Sequence, residues 1–305
     1  MRPALALMTL AMVGLVSVAS AQDGADPTVH SITIEAGDLK VIIGDDSDHG
    51  AGKTGYEGIW HLSHRLRPDN IYVPVYAGLI AHRQPCSVVQ VNDATVEIRR
   101  EGQTTVERYQ VLPPCYVDYT VTFTAGGERA GWNDASYMNA PADPGIYLIN
   151  TDGEWFRHYD PEHGSAASVA PASMAEFPPL NKIENPRYAH GTNSFADSFS
   201  GLTFDPEKAL YYGRFDDMVL IYMFEHGDWV IPYMSPSGGG YNRELERANP
   251  AWDFRYWITG LTPGQQVVLR HRAVYKPFVS NEDVLAEYEA WKAELTAEAE
   301  DAEDG

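Results

Sequence analysis

The chain has 305 residues, with 43 acidic and 22 basic side chains, and its formal net charge is −21. A charge this negative repels nucleic acid and anionic membrane surfaces, so it argues against both as partners. It also disfavours polyanionic substrates, unless a local group of arginines offsets the repulsion.

The N-terminal segment has the features of a secretory signal peptide. Met1-Arg2 is followed by an apolar stretch from Ala4 to Val18 and then by Ala19-Ser20-Ala21. A basic start, a short apolar core and an A-x-A site are typical of a cleaved signal. The core has roughly 15 residues, fewer than the roughly 20 that a membrane-spanning helix needs. We therefore expect a secreted or periplasmic protein without membrane insertion, and a mature N-terminus near Gln22.

Two short strands are predicted at the start of the mature chain. His30 to Ile34 and Leu39 to Ile43 are rich in β-branched residues, and a glycine-containing turn separates them. The polar loop that follows carries Asp45, Asp46 and Asp48, whose spacing is not that of an EF-hand. We expect a solvated turn there and leave calcium binding open as the alternative. No cofactor and no other metal is predicted.

The chain has two cysteines, Cys86 and Cys115. In an exported protein a pair of cysteines is expected to form a disulfide. Closing the loop between them would stabilise the fold by roughly 3–4 kcal/mol in the chain-entropy model. The alternative is two buried thiols. A metal site is not expected, because neither cysteine has another Cys or a His close by in the sequence.

The β signal is strongest between the two cysteines and just after them. Val88 to Val91, Thr95 to Arg99 and Val106 to Leu112 are short and rich in β-branched residues. From Val117 to Thr124, apolar and polar residues alternate strictly. Such alternation predicts an antiparallel strand with one face in contact with water. Successive strands at this spacing favour a β-sandwich over an α/β fold.

A long connection follows, and it ends in a polar cluster. Asp160 to Pro179 is rich in Ala, Ser and Pro, which predicts a long loop or lid. Arg187 to Asn193 then brings together several side chains that can transfer protons or hydrogen-bond. We regard Tyr188, His190 and Asn193 in this cluster as candidate site residues.

The stretch from Tyr211 to Phe254 is the best candidate for the wall of a site. Met218 to Phe224 and Val230 to Met234 are apolar runs that predict buried strands. Gly238 to Gly240 would allow a sharp turn or the close approach of a ligand. Asn249 to Phe254 is rich in aromatic and acidic residues. Four side chains of this stretch are candidate site residues: Tyr212, Arg214, Trp252 and Asp253.

The C-terminal part predicts two closing strands and a helix. Trp257 to Thr259 and Gln265 to Tyr275 have strand patterns. Ser280 would cap the helix, and Asp283 completes an S-x-x-D capping box. The apolar stripe that would pack the helix on the sandwich consists of Val284, Leu285, Tyr288, Trp291 and Leu295.

The predicted fold class is all-β, a large antiparallel β-sandwich with a C-terminal α-helix. We expect three regions: a signal peptide at 1–21, the β-sandwich domain at 22–280, and the helix with an acidic tail at 281–305. A mature chain of this length can bury a substantial core as one domain.

Two segments resemble the supersandwich of the galactose-mutarotase-like superfamily. They are the strand from Tyr116 to Phe123 and the run from Gly238-Gly239-Gly240 to Asn249 through Phe254, within a resemblance that spans about Thr28 to Phe278. That superfamily includes sugar epimerases, polysaccharide lyases and domains of glycoside hydrolases, so the resemblance implies contact with carbohydrate. A typical mutarotase pairs a His acid with a Glu base. His190 is the candidate for the acid, and no glutamate is marked as the base.

A polysaccharide lyase is the first enzymatic hypothesis. A lyase needs a base that takes the proton beside a uronate and a cation that neutralises the carboxylate. His190 or Tyr188 is the candidate base. Arg214 is the candidate cation, and Asn193 would donate a hydrogen bond. The residues expected to contact substrate are Asn193, Trp252, Asp253, Tyr212 and His64.

Hydrolysis of a glycoside would instead need paired carboxyl groups. The acids available in the central stretch are Asp216, Asp217 and Asp253. Asp216 and Asp217 are adjacent, so on a strand they would point to opposite faces and would not act together.

The alternative to an enzyme is a non-catalytic carbohydrate-binding or surface-assembly protein. Such a protein could use flat stacking platforms, for which the candidates are Trp60, Trp132, Trp155, Trp229 and Trp252. At any single position a core role is favoured. Convergence of His190, Tyr188 and Arg214 in one cleft would favour the enzyme, and a row of exposed tryptophans would favour the binding protein.

Overall fold

The predicted strands pair into two large sheets that pack against each other. The computed structural model describes residues 31–45, 57–73, 79–82, 86–100, 102, 104–162, 166–174 and 199–303. Within these residues the chain is an all-β sandwich followed by one helix, as the sequence predicts. In the part of the chain that is described, no helix is both long and apolar enough to cross a membrane.

The spatial order of strands in the two large sheets differs from their order along the chain. The nine-stranded sheet contains, from one edge to the other, β11 (Trp155–His158), β10 (Asp143–Ile149), β14 (Leu210–Phe215), β15 (Met218–Phe224), β20 (Gln266–Pro277), β8 (Tyr116–Thr124), β7 (Val106–Leu112), β6 (Thr95–Arg100) and β5 (Cys86–Asn92). The five-stranded sheet contains β13 (Phe199–Phe204), β12 (Ala167–Pro171), β16 (Val230–Ser235), β19 (Ala251–Thr259) and β9 (Arg129–Asp134). The four-stranded sheet contains β1 (Ser31–Ala36), β2 (Leu39–Asp45), β3 (Glu57–His64) and β4 (Leu79–His82). A short hairpin pairs β17 (Tyr241–Asn242) with β18 (Arg247–Ala248).

The main core lies between the nine-stranded and five-stranded sheets. All seven residues of β15 are buried, which is why this strand has a continuous apolar run instead of an alternating pattern. Phe224 of β15 meets Phe254 of β19 edge to face at 4.9 Å. Tyr222 lies 5.8 Å from the same ring. Aromatic pairs at these distances stabilise a core beyond the area that they bury.

The C-terminal helix α1 (Asn281–Glu303) begins as predicted. The Ser280 hydroxyl accepts a hydrogen bond from the Asp283 amide at 3.2 Å, which satisfies one of the free amides of the first turn. Four residues of the predicted stripe are buried, and Leu285 is partly buried. The helix continues through Glu303, so most of the predicted acidic tail is helical.

Three basic residues of β20 hold α1 along the strand by ion pairs. Lys276 contacts Asp283 at 2.8 Å and also pairs with Glu287. Arg272 contacts Glu294 at 2.9 Å, and its guanidinium lies 5.8 Å from the ring of Trp291. Arg270 contacts Glu298 at 3.3 Å. The acids of the helix are therefore matched to a basic strand, which reduces the effect of the high negative charge at this end of the chain.

The expected disulfide is not formed, and Cys86 and Cys115 are both thiols. Cys86 begins β5 opposite Arg100, whereas Cys115 precedes β8 at the end where Leu112 pairs with Tyr116. The cysteines therefore lie near opposite ends of the strand ladder and three strands apart, which is about 14 Å across the sheet alone. A disulfide needs Cα atoms within about 7 Å. Burial, with Glu287 nearby, raises the pKa of the Cys115 thiol to about 12.

Two local expectations need correction. The predicted loop from Asp160 to Pro179 contains β12, which pairs with β16 on one side and runs parallel to β13 on the other. Four of its five residues are buried. Asp216 and Asp217 form the turn between β14 and β15, with Asp216 at a φ of 55°, so they are not strand residues facing opposite sides.

Gly213 gives a test of the packing between the two sheets. A methyl group at this position would overlap the ring of Trp252, which is fully buried. We expect Gly213→Ala to lower the free energy of unfolding by about 1–3 kcal/mol, because an overpacked core must shift. Gly127→Ala is the control, since a methyl group there meets no atom within 4 Å. Equal stability of the two variants in urea unfolding would contradict this packing.

Candidate functional site

The five-stranded sheet has two faces with different chemistry. Phe254 of β19 packs into the core against Phe224. Because side chains alternate along a strand, Trp252 and Tyr256 share that inner face. Asp253 and Arg255 point to the opposite side, which we call the outer face.

Three polar side chains form a row across the outer face. Ser168 of β12 is directly opposite Tyr233 of β16, and Tyr233 is directly opposite Asp253 of β19. Directly opposed residues in antiparallel strands point to the same side. Strands are about 4.8 Å apart, so the row is about 10 Å long. Of its members, only Asp253 was predicted from the sequence.

Three further polar residues surround the row. The guanidinium of Arg255 lies 4.4 Å from the centre of the Tyr233 ring. The Tyr233 hydroxyl lies 3.4 Å from Oδ1 of Asn133 and shares its single proton between this oxygen and the Asp253 carboxylate. Ser235 lies two residues beyond Tyr233 on β16 and therefore shares its face. We call the six residues together the outer-face cluster: Asn133, Ser168, Tyr233, Ser235, Asp253 and Arg255.

The outer-face cluster is buried except at one end. Tyr233 and Arg255 each expose 7% of their surface, and Asp253 exposes 4%. Asn133 is partly exposed and lies on β9, the edge strand of the sheet. Asn133 is therefore the member of the cluster that is most exposed to solvent.

Asp253 is the group of the cluster that can exchange a proton near neutral pH. Burial raises its pKa from 3.8 to about 7, although hydrogen bonds from the Tyr233 hydroxyl and the Ser136 amide and the charge of Arg255 act in the opposite direction. The Ser136 amide donates to Oδ1 of Asp253 at 2.7 Å. Both protonation states are therefore populated around pH 7. A carboxyl group with this property suits general acid and base chemistry.

A second group of buried charges lies on strands β3, β6 and β7 and has a structural role. Arg100 contacts Glu57 at 3.2 Å and also pairs with Glu107, and the side chains of all three are fully buried. The hydroxyls of Tyr109 and Tyr119 donate to Oε2 of Glu107 at 3.0 and 3.2 Å. These groups join β3 of the four-stranded sheet to β6, β7 and β8 of the nine-stranded sheet. Because every one of these side chains is shielded from solvent, we assign the group to the core.

None of the other predicted site residues that the structure describes belongs to the outer-face cluster. Tyr188, His190 and Asn193 lie outside the described residues, and so do the side chains of Asp45, Asp46 and Asp48. The guanidinium of Arg214 lies 3.7 Å from the centre of the Phe278 ring, and its Nη2 donates to the backbone oxygen of Asp216 at 2.7 Å.

Tyr212, His64 and Trp252 each have a partner within the fold. Tyr212 donates to Oδ1 of Asn281 at 2.6 Å, next to the start of α1. His64 exposes 2% of its surface, and its Nδ1 accepts from the Leu66 amide at 3.1 Å. Trp252 is fully buried, and its Nε1 donates to the backbone oxygen of Pro144 at 2.8 Å. Each of these contacts stabilises the fold.

The predicted stacking platforms are not exposed. All five candidate tryptophans lie within the described residues, and each is buried or partly buried. Trp132 lies under Arg100, whose guanidinium is 4.7 Å from its ring centre. A row of exposed tryptophans would favour a purely binding protein. These five residues do not form such a row. Among the described side chains there is also no group of three or more His, Cys, Asp or Glu that could hold a metal ion.

Comparison with known proteins gives a likeness in structure only. No protein-family profile and no curated protein matches the chain. Among solved structures, the chain is similar to the crystal structure of a GalM/aldose epimerase homologue from C. elegans, with a TM-score of 0.44 and 8% identity. The match covers 82% of this chain and 99% of that one. At this TM-score and identity no argument follows from the likeness.

Proposed function

We propose that this protein is a carbohydrate-active enzyme that transfers a proton on its substrate at the outer-face cluster. The observation that carries the proposal is Asp253, a buried carboxyl with a pKa of about 7 that is hydrogen-bonded to Tyr233 and lies near Arg255. The hydroxyl, amide and guanidinium groups around it are those that hydrogen-bond to the many hydroxyls of a sugar. They lie along one face of the five-stranded sheet, where Asn133 on the edge strand is partly exposed.

Lyase chemistry fits this cluster better than hydrolysis. Glycoside hydrolysis needs two carboxyl groups on opposite sides of the bond. Asp253 is the one carboxyl group of the outer-face cluster. Elimination beside a uronate needs one proton acceptor and one cation, and Asp253 and Arg255 can supply them. Arg255 also gives a local positive charge in a chain whose net charge of −21 otherwise repels polyanions.

In the proposed step, the ionised carboxylate of Asp253 takes the proton from the carbon beside the uronate carboxylate. The electron pair of that C–H bond forms a C=C bond, and the glycosidic C–O bond breaks. The Tyr233 hydroxyl protonates the leaving oxygen, and the proton on Asp253 then returns to Tyr233 along their hydrogen bond. Arg255 pairs with the uronate carboxylate and stabilises the negative charge that develops there.

Export of the enzyme is part of the proposal. The N-terminal pattern that predicts a signal peptide lies outside the described residues. If the segment is cleaved as expected, the intact mass of the secreted protein corresponds to a chain that begins at Gln22. An intact mass that still includes residues 1–21 would contradict cleavage.

The test is a screen of the mature protein against neutral and uronate polysaccharides. Absorbance of unsaturated ends and release of reducing ends are followed together. We expect unsaturated ends from at least one uronate polymer, because only elimination creates the C=C bond. Reducing ends without unsaturation would overturn the lyase assignment in favour of hydrolysis. Retention on a polysaccharide affinity gel without either product would replace the enzyme with a binding protein.

A further inference from the structure

Two serine hydroxyls of the outer-face cluster have no hydrogen-bond partner among the described residues. The side-chain oxygens of Ser168 and Ser235 are buried, and within that part of the chain neither contacts a donor or acceptor. Ser168 exposes 0% of its surface and Ser235 exposes 2%. Elsewhere on the outer face, the Asp253 carboxyl and the Tyr233 hydroxyl have partners within the protein.

The hydroxyls of Ser168 and Ser235 both lie near Tyr233. Ser168 lies opposite Tyr233 across one strand spacing, about 4.8 Å away. Ser235 lies two residues along β16, about 7 Å from Tyr233 on the same face. The two serines therefore lie on two sides of Tyr233, one across the sheet and one along the strand. Both hydroxyls therefore belong to the same part of the outer face as the Tyr233 side chain.

Leaving a buried hydroxyl unpaired is costly, since the group loses its hydrogen bonds to water without replacing them. Buried polar groups in folded proteins almost always have a partner, so exceptions call for an explanation. An alanine would fit at either position, because it removes only the oxygen. Both serines flank Tyr233, which is directly opposite the proposed acid-base group Asp253, and a partner from the substrate would satisfy them.

We infer that Ser168 and Ser235 bind hydroxyl groups of the sugar and determine which sugar the site accepts. The inference rests on the proposed function and extends it from proton transfer to substrate recognition. A serine hydroxyl both donates and accepts, as a sugar hydroxyl does, so each serine can form a complementary pair with one ring hydroxyl. A site built to pair with a hydroxyl rejects an analogue that lacks it, because the protein group is then left unpaired.

The test combines affinity with stability in two variants. Binding of D-glucuronate, D-galacturonate, D-glucose and D-galactose is measured by NMR titration, since monosaccharides have no glycosidic bond to cleave. We expect Ser168→Ala and Ser235→Ala to weaken binding of the best of these sugars by about 3–10-fold each. In the absence of sugar we expect both variants to be at least as stable as the wild type, because an unpaired polar atom has been removed.

Ser237→Ala is the matched control, since Ser237 is partly exposed and lies beyond the end of β16. It should change neither affinity nor stability. Unchanged affinity in both cluster variants overturns the inference and leaves the proposed enzyme standing if uronate polymers are still cleaved. Loss of stability in sugar-free Ser168→Ala and Ser235→Ala also overturns it, because the hydroxyls would then have a structural partner. If the wild type neither binds these sugars nor cleaves a polymer, the proposed function fails and the inference fails with it.

Discussion

Replacing Asp253 by asparagine is expected to lower the rate of formation of unsaturated ends by about 10²- to 10⁴-fold, the range for loss of a general acid or base. Asparagine keeps the shape of the side chain and can accept the Ser136 amide, but it cannot take up a proton. In the wild type, the rate should rise as the pH increases through about 7, because the pKa of Asp253 lies there and the ionised form is the base.

The same substitution gives a stability signature that does not depend on the substrate. The pKa of Asp253 is 3.8 when unfolded and about 7 when folded. The folded protein therefore binds more protons between these values, and the free energy of unfolding falls as the pH rises from about 4 to 7. The difference of about three pKa units corresponds to a contribution on the order of 4 kcal/mol, present below pH 4 and lost above pH 7. Asp253→Asn should remove this part of the pH dependence in urea unfolding measured across the range.

Asp216→Asn is the control for both readouts. Asp216 is exposed in a turn at positive φ, a conformation that asparagine also adopts readily. It should leave the rate and the pH dependence of stability unchanged. A full rate in Asp253→Asn would overturn the role of Asp253 in catalysis. An unchanged pH dependence of stability would overturn its raised pKa.

Replacing Arg100 by methionine is expected to lower the free energy of unfolding by about 3–5 kcal/mol, because it leaves the buried carboxyl groups without their cation. The Arg100, Glu57 and Glu107 side chains expose 0% of their surface, so water does not screen the remaining charges. The readout is the free energy of unfolding relative to the wild type. Urea unfolding at fixed pH measures it.

Arg108→Met is the matched control. Arg108 also pairs with a glutamate, Glu97, but 51% of its side chain is exposed. Exposed ion pairs contribute about 0–1 kcal/mol, so this variant should remain close to the wild type. Combining Arg100→Met with Glu57→Gln and Glu107→Gln should recover much of the lost stability, since no uncompensated charge is then buried. Equal effects of Arg100→Met and Arg108→Met would contradict the buried group as a structural element.

Much of the fold could be predicted because single strands carry their own pattern. The apolar run of β15 and the alternation of β8 are visible without any knowledge of their partners. The cap at Ser280 and the stripe of α1 are equally local. The prediction of a disulfide was wrong because the distance between the two cysteines depends on the order of strands in the sheet. Pattern along one strand does not say that Cys86 and Cys115 lie at opposite ends of a ladder.

The sequence predicted one residue of the outer-face cluster, Asp253. Asp253 was found because it lies in an aromatic and acidic stretch. Ser168, Tyr233 and Asn133 come from three other strands, and their proximity is determined by register between distant segments. One local signal was available, since Asp253 and Arg255 alternate with the aromatic residues of β19 at period two. Charged residues alternating with large aromatics on a buried strand indicate a polar face that is itself covered.

The position of β20 has a consequence for how the chain is made. The nine-stranded sheet consists of two halves, β11-β10-β14-β15 and β8-β7-β6-β5, and β20 joins them by pairing with β15 on one side and β8 on the other. β20 follows all the other strands of this sheet in the sequence, so synthesis leaves both halves with an unpaired edge until residues 266–277 have emerged. Unpaired edges are where strands of separate molecules associate. A nascent or truncated chain that stops before Gln266 is therefore prone to aggregation.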